Sequence, residues 1–241
     1  MNDRLAGHDK IALSFSGGRD SLACVYLLRE YLDRITIYHN DTGDMLPETR
    51  ELVAEVEAFS PHFVRIETDV AGWIHDNGLP SDLLTFSAHP LGLLFGDRKT
   101  RLVHRYDCCF ANRMAPLLER IVADGNTLLI RGTRRSDVPL LPAEDGNRGA
   151  LLELYLPLQE WSAADVDGFL ASKGVKLPRV YQYMPHSPDC ARCPAWWSEQ
   201  RGAYLKQFHP DLWRDYDARL QLIINEVAPS LAALRREAGV T

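Results

Sequence analysis

Residues 11–21 read Ile-Ala-Leu-Ser-Phe-Ser-Gly-Gly-Arg-Asp-Ser, an apolar run that ends in a Ser-Gly-Gly-x-Asp-Ser turn and passes directly into Leu22-Ala-Cys-Val-Tyr-Leu-Leu. The layout predicts a buried strand, a phosphate-gripping loop and the first turn of a helix. Gly17 and Gly18 let the backbone adopt positive φ and let an anion approach the N–H groups. The helix start behind them offers unpaired donors and a positive dipole end. Ser14, Ser16 and Ser21 can add hydroxyls, and Arg19 and Asp20 complete the loop. The Gly-Lys-[Ser/Thr] ending of a Walker A loop is absent. Gly-Gly with Ser and Asp is also ordinary turn chemistry, and the strand before and helix after favour the phosphate loop over a plain turn.

Outward from this loop, short apolar strands are expected at Ile11–Phe15, Ile35–His39, Phe63–Ile66 and 127–130, with a fifth at Leu151–Leu156. Helical patterns fall between them. Leu52, Val56 and Phe59 follow Pro47 at helical spacing, and Met114, Leu117, Leu118, Ile121 and Val122 form a second stripe stopped by Asp124-Gly125. Alternation of this kind implies an α/β fold: a parallel twisted sheet with helices on both faces. Ligands of such sheets bind at the carboxyl ends of the strands, where residues 16–21, 40–43 and 131–135 would arrive. Residues 136–150 are rich in Pro, Gly, Asp and Asn and read as a mobile loop, and Ser162 reads as a helix N-cap with Asp165 in the first turn. The expected organisation is a nucleotide-binding α/β domain over 1–177 and a helical C-terminal segment over 178–241. In that segment Leu220, Ile223, Ile224, Val227, Leu231 and Leu234 keep helical spacing, and Pro229 is a break or a new start.

The 241 residues carry 46% hydrophobic and 25% charged side chains and a net charge of −6, which argues against disorder and against indiscriminate attraction to nucleic acid. No apolar stretch suits a membrane span or a signal peptide, so a cytoplasmic protein is expected. Arg98-Lys-Thr-Arg-Leu-Val-His-Arg105 is a basic run without an acid, read as a solvated face or a phosphate-binding rim. Trp196-Trp197 reads as hydrophobic cover for the neighbouring cysteines rather than as a stacking platform for bases.

Five cysteines stand at 24, 108, 109, 190 and 193. Disulfides are unexpected in a cytosolic chain. Cys108-Cys109 and Cys190-x-x-Cys193 could place four thiolates on one centre, and spacing alone leaves zinc, an iron–sulfur cluster and free thiols open. Cys24, among apolar neighbours, reads as core.

The Ser-Gly-Gly-x-Asp-Ser loop resembles the pyrophosphate loop of the adenine-nucleotide hydrolase-like superfamily. Tyr106-Asp-Cys-Cys-Phe-Ala-Asn-Arg-Met-Ala-Pro-Leu-Leu118 is similar to the Cys-Cys…Arg-x-x-Pro-Leu segment of cluster-containing adenylylsulfate reductases, and Cys190/Cys193 to their second pair. His39-Asn-Asp-Thr-Gly43 resembles the stretch that lies by the adenosine there, Ile130-Arg-Gly-Thr-Arg-Arg135 the phosphate-contacting loop, and Pro157–Val166 the segment that closes the fold. The resemblance implies a nucleotide bound by Ser14, Ser16, Gly17, Gly18, Arg19, Asp20, Ser21, Asp41, Thr42, Gly43 and Gly132, and a [4Fe–4S] cluster, with Zn2+ the alternative, held by Cys108, Cys109, Cys190 and Cys193. It breaks at one point. The reductases carry a nucleophilic cysteine in a Glu-Cys-Gly-[Leu/Ile]-His tail, and no cysteine follows Cys193 here.

The remaining parts resemble ATP pyrophosphatases, including those of DNA phosphorothioation systems. The expected activity is therefore adenylation of an acceptor oxygen with release of pyrophosphate, followed by sulfur insertion. Asp20, Ser21, Arg134 and Arg135 would be the catalytic groups, and Asp20 or Asp41 would position Mg2+. A cysteine desulfurase as sulfur donor, a DNA or RNA acceptor and a homodimer are the expected partners, with no membrane. Sulfonucleotide reduction with a thiol from elsewhere, and a non-catalytic ATP-binding subunit, are the alternatives.

Overall fold

The computed structural model describes residues 2–95, 100–137, 144–149, 151–197 and 200–240. In chain order the elements are α1 (Asn2–Ala6), β1 (Ile11–Ser14), α2 (Arg19–Leu27), β2 (Ile35–Asp41), α3 (Pro47–Phe59), β3 (Phe63–Glu67), α4 (Val70–Asn77), β4 (Leu79–Ser81) and α5 (Pro90–Phe95). They continue as β5 (Leu102–His104), α6 (Arg105–Cys109), α7 (Ala115–Ala123), β6 (Leu128–Ile130), β7 (Glu153–Tyr155), α8 (Ala163–Ser172), α9 (Arg201–Phe208) and α10 (Pro210–Glu237). Between α6 and α7 the backbone widens into a π-helical turn, Phe110–Met114.

By contact density the chain forms two compact units that interleave along the sequence. The first comprises Met1–Asp41, Met45–Glu67 and Ala115–Asp189. It holds a five-stranded sheet in the order β3-β2-β1-β6-β7, every pair parallel. All five expected strands are present. Side-chain alternation assigns the faces: Ile11, Leu13, Ile35, Ile37, Leu128 and Ile130 meet Leu22, Val25, Leu52, Val53, Val56, Val166 and Leu170 of α2, α3 and α8. On the opposite face Ala12, Tyr38 and Leu129 pack with Ile121 of α7. Helices thus cover both sides, as an all-parallel sheet requires.

Local signals that place these elements hold as expected. Pro47 opens α3, Ser162 and Asp165 form a complete capping box on α8, and Cys24 is fully buried in the core. Only part of the 136–150 stretch is described, and that part is tied down. Gly146 N–H bonds Leu154 O, Leu154 N–H bonds Asn147 O, and Arg148 makes a bridge to Glu153.

The second unit comprises Thr42–Asp44, Thr68–Met114 and Cys190–Thr241. Strands β4 and β5 pair parallel, and Leu79 and Leu102 pack under Ile223 of α10 with Ile74 and Val227. Helix α10 runs on through Pro229, contrary to the break expected there. Pro229 and Asn225, whose carbonyl loses its partner, are both exposed, so water replaces the missing bond. Among the described residues no helix is long and apolar enough to cross a membrane.

Candidate functional site

The 16–21 loop, expected from the sequence to grip phosphate, is built wholly within the first unit. Gly17 takes φ +80°, and a Cβ there would stand 2.8 Å from Thr49 Cγ2 and 3.0 Å from Val53 Cγ2 of α3. Glycine is therefore required twice over, by backbone conformation and by space. Ser21 closes the loop from inside: its hydroxyl donates to Gly18 O at 2.9 Å, accepts the Ser16 N–H at 3.2 Å and lies 3.2 Å from Ser16 Oγ. Gly18 is the N-cap of α2 and has no side chain to fill that end. The amides of Asp20 and Ser21 fall in the first turn, where an α-helix supplies no acceptor.

The loop after β6 meets this turn directly. A Cβ on Gly132 would fall 2.6 Å from Asp20 C and 2.8 Å from Ser21 N, so only glycine lets the two backbones touch. Arg134 is nearly buried, with Nε 3.0 Å from Asp20 Oδ1 in a charge contact that lacks hydrogen-bond alignment. Asp137 accepts the Arg134 N–H at 2.8 Å and lies 3.4 Å from its guanidinium. Burial pushes the Asp20 carboxyl above its ordinary range, and the Arg134 and Arg19 charges oppose that shift. Arg135 turns the other way, to an exposed pair with Glu160.

The structure brings Ser16, Gly17, Gly18, Arg19, Asp20, Ser21, Gly132 and Arg134 together, with Ser14 at the end of β1 leading in. It does not bring Arg135. Asp41, at the end of β2, is paired with Arg65 at 3.0 Å. Both carboxylates expected to position Mg2+ thus have guanidinium partners in the structure. Arg19 pairs with Asp167 and lies over the Tyr181 ring, whose centroid is 5.5 Å from its guanidinium carbon.

One neighbour escaped sequence reasoning. The Tyr181 hydroxyl accepts the Arg19 N–H at 2.8 Å, occupying a donor of the helix start. Burial raises its phenol pKa, so it stays protonated and keeps its own O–H to give. Nothing in the sequence links residues so far apart. His39 is similar: fully buried, neutral by desolvation, with Nδ1 2.8 Å from Phe15 O.

Thr42 and Gly43 belong to the second unit, where the cysteines also gather. A small cavity of about 20 Å³ is lined by Cys108, Cys109, Cys190 and Cys193, with Asp44, Asn112 and the cations Arg105, Arg113 and Arg219 around them. Cys108 and Cys109 come from α6, which His104 caps by accepting the Tyr106 N–H. The 190–193 loop is pinned to Asp44: its carbonyl accepts the Ala191 N–H and its carboxylate takes Arg192, with Nε–Oδ1 2.6 Å. Cys190 donates its thiol to Thr42 Oγ1 at 3.5 Å. Burial pushes the Cys108 thiol up to about 12 and raises Cys190 likewise. Trp196, at φ +63°, is held by its N–H on Asp82, and Arg105 bridges from Asp82 to the Trp196 ring face at 3.7 Å. Arg98 and Lys99 of the basic run lie outside the described residues.

Four sulfur donors facing one cavity, ringed by guanidinium groups, suit an anionic cluster. Among the described residues no three His, Cys, Asp or Glu side chains are grouped to hold a single metal ion.

Residues 10–87 match the phosphoadenosine phosphosulfate reductase domain family. The matched stretch carries the phosphate loop and the 39–43 segment and spans about a third of the chain. Comparison with curated proteins finds no match. Among solved structures, the chain is similar to phosphoadenylyl-sulfate reductase from Candida auris in its phosphate complex. The two share 15% identity over 72% of this chain and 77% of that one, with a TM-score of 0.49.

Proposed function

We propose that the protein is an ATP pyrophosphatase that adenylates an acceptor oxygen for sulfur insertion, with the acceptor a nucleic acid, as in DNA phosphorothioation. The observation that carries this reading is the direct backbone contact of Gly132 with Asp20 and Ser21, which joins two strand ends around one anion cradle. In the proposed reaction the acceptor oxygen attacks the α-phosphorus, the bond to the β-phosphate oxygen breaks, and pyrophosphate leaves with that electron pair. The terminal sulfur of a cysteine desulfurase's persulfide then attacks the adenylated centre, AMP leaves with the activated oxygen, and a thiol reductant supplies the two electrons that cleave the remaining S–S bond, leaving sulfur on the acceptor and freeing the carrier cysteine.

Backbone amides of the loop and the Ser21 hydroxyl would hold the departing phosphates, where fixed donors act without reorganising. Arg134 would offset charge from the β6 side. Its tether to Asp137 fixes its position, and its contact with Asp20 would loosen as phosphate competes for the guanidinium. Mg2+ would accompany the nucleotide. Cys108, Cys109, Cys190 and Cys193 would hold a [4Fe–4S] cluster, which when bound supplies a redox-active centre.

A reductase reading is favoured by the family match over 10–87, and needs a thiolate near the nucleotide. Cys24, the one cysteine outside the four-sulfur cavity, is fully buried and desolvation holds it protonated, which supports the ATP reading instead. Incubating anaerobically purified protein with ATP and single-stranded or duplex DNA, then following pyrophosphate, tests the proposal. Acceptor-dependent pyrophosphate is the expected result. Sulfite from adenylylsulfate and a thiol donor, without pyrophosphate from ATP, would overturn it.

A further inference from the structure

Helix α10 leaves its partners part-way along. Tyr216, Ile223 and Glu226 are buried in the second unit, but every residue from Ala228 to Val240 is exposed. A free helix of so few turns is marginal in water, and most helical stability in proteins comes from a packed apolar face. This one has such a face: Val227 reaches the core of the second unit, and from Ala228 onward the face is open to solvent. Leu220, Ile224, Val227, Leu231 and Leu234 recur at alternating spacings of four and three, the pattern of a coiled-coil seam. Ile224 is 53% exposed, Leu231 44% and Leu234 65%. Pro229, which would obstruct packing if it pointed inward, lies on the opposite side of the helix.

We propose that this seam pairs with the same helix of a second copy of the chain, running antiparallel. Charge decides both occupant and direction. From Leu220 to Leu234 the only ionisable side chain is Glu226, and it is buried against Thr85, so the seam itself carries no charge. Its ends are opposite in sign: Asp217 extends the seam at one end, and Arg235 and Arg236 flank it at the other. Among the described residues, none of these three makes an ion pair. Parallel pairing would set Asp217 against Asp217 and the arginines against each other. Antiparallel pairing about a two-fold axis between Val227 and Ala228 sets Ile224 against Leu231 of the second copy and Asp217 within a turn of its Arg235. The paired stretch from Asp217 to Ala238 is about 33 Å long.

The axis falls beside a second exposed apolar group. Thr85 donates to Glu226 at 3.1 Å, which holds the exposed Leu84 and Phe86 next to the middle of α10. The same two-fold operation brings both copies of that group to the seam, extending it beyond the two helices.

Sedimentation of the full chain tests the pairing at micromolar concentration, in wild type, Leu231→Glu, an Arg235→Glu/Arg236→Glu variant, Asp217→Lys, and the three charge reversals combined. The wild type is expected to be a dimer and Leu231→Glu a monomer. The arginine reversals should weaken the dimer about tenfold, and adding Asp217→Lys should restore it. Leu231, Arg235 and Arg236 are exposed and Asp217 is half-buried, so thermal unfolding and circular dichroism of each variant, expected to match wild type, separate lost association from lost folding. A monomeric wild type, or a dimer indifferent to Leu231→Glu, overturns the proposal. Failure of the combined variant to recover overturns the antiparallel arrangement.

Discussion

The 16–21 loop and the cysteine cavity gather polar groups by different means. The loop spends few side chains: glycines at 17, 18 and 132 bring backbone donors to the surface, and Ser21 staples them. The cavity depends almost entirely on side chains: four thiols and three guanidinium groups from 105–113, 190–193 and 219, with the Asp44 carboxylate beside them. One site is geometry made from a contiguous turn; the other is chemistry gathered from distant pieces. Substitutions should therefore act on shape in the first and on composition in the second.

The sharpest break is expected at the cavity. Cys108→Ser or Cys190→Ser should abolish bound iron and absorbance near 400 nm, read by metal analysis of anaerobic preparations, while ATP binding at the loop persists. A colourless wild type with stoichiometric zinc would count against the cluster. Next in size is Arg134→Ala, which leaves the Asp20 carboxylate without its nearest cation. Pyrophosphate release should fall by about two orders of magnitude, and stability by about 3 kcal/mol in urea unfolding.

Gly132→Ala forces a methyl into the Asp20–Ser21 backbone and should cost about 1–3 kcal/mol, with activity lost beyond what unfolding explains. Asp20 gives a test in pH. Its folded pKa is raised, so its contribution to stability is fully present below the unfolded carboxylate value and is lost as pH rises through the folded one. Asp20→Asn should accordingly be more stable than wild type at pH 7, with the gap closing on acidification below the ordinary carboxylate range. Smallest is Tyr181→Phe. With the hydroxyl gone from the Arg19 amide, a phosphate no longer displaces it, and calorimetry should report ATP binding tighter by several-fold. Weaker binding would instead make the hydroxyl a phosphate ligand.

The same contrast explains what could be read in advance. Strands β1, β2, β3, β6 and β7 were legible because each is an apolar run bounded by turn chemistry, and the loop because its residues are consecutive. Strands β4 and β5 were not: three residues each, one containing Pro80 and the other inside a basic run. Arg134 and Arg135 look equivalent in sequence, yet Asp137 takes the amide of one and Gln159 O that of the next, and the two side chains diverge. Pro229 reads as a break, but an exposed carbonyl can lose its bond to water at little cost. The cysteine set was legible by residue type. Its cationic surround of Arg105, Arg113 and Arg219 was not, since only folding gathers it.

The interleaving of the second unit also orders events in time. Cys108 and Cys109 leave the ribosome about 80 residues before Cys190, roughly 4–16 s at ordinary elongation rates. During that interval β6, β7 and α8 are made and the first sheet can close, while half of the sulfur donors wait without the other half. A group that needs all four sulfurs would therefore be loaded only late in biosynthesis, after the Cys108-Cys109 pair has waited for its partners.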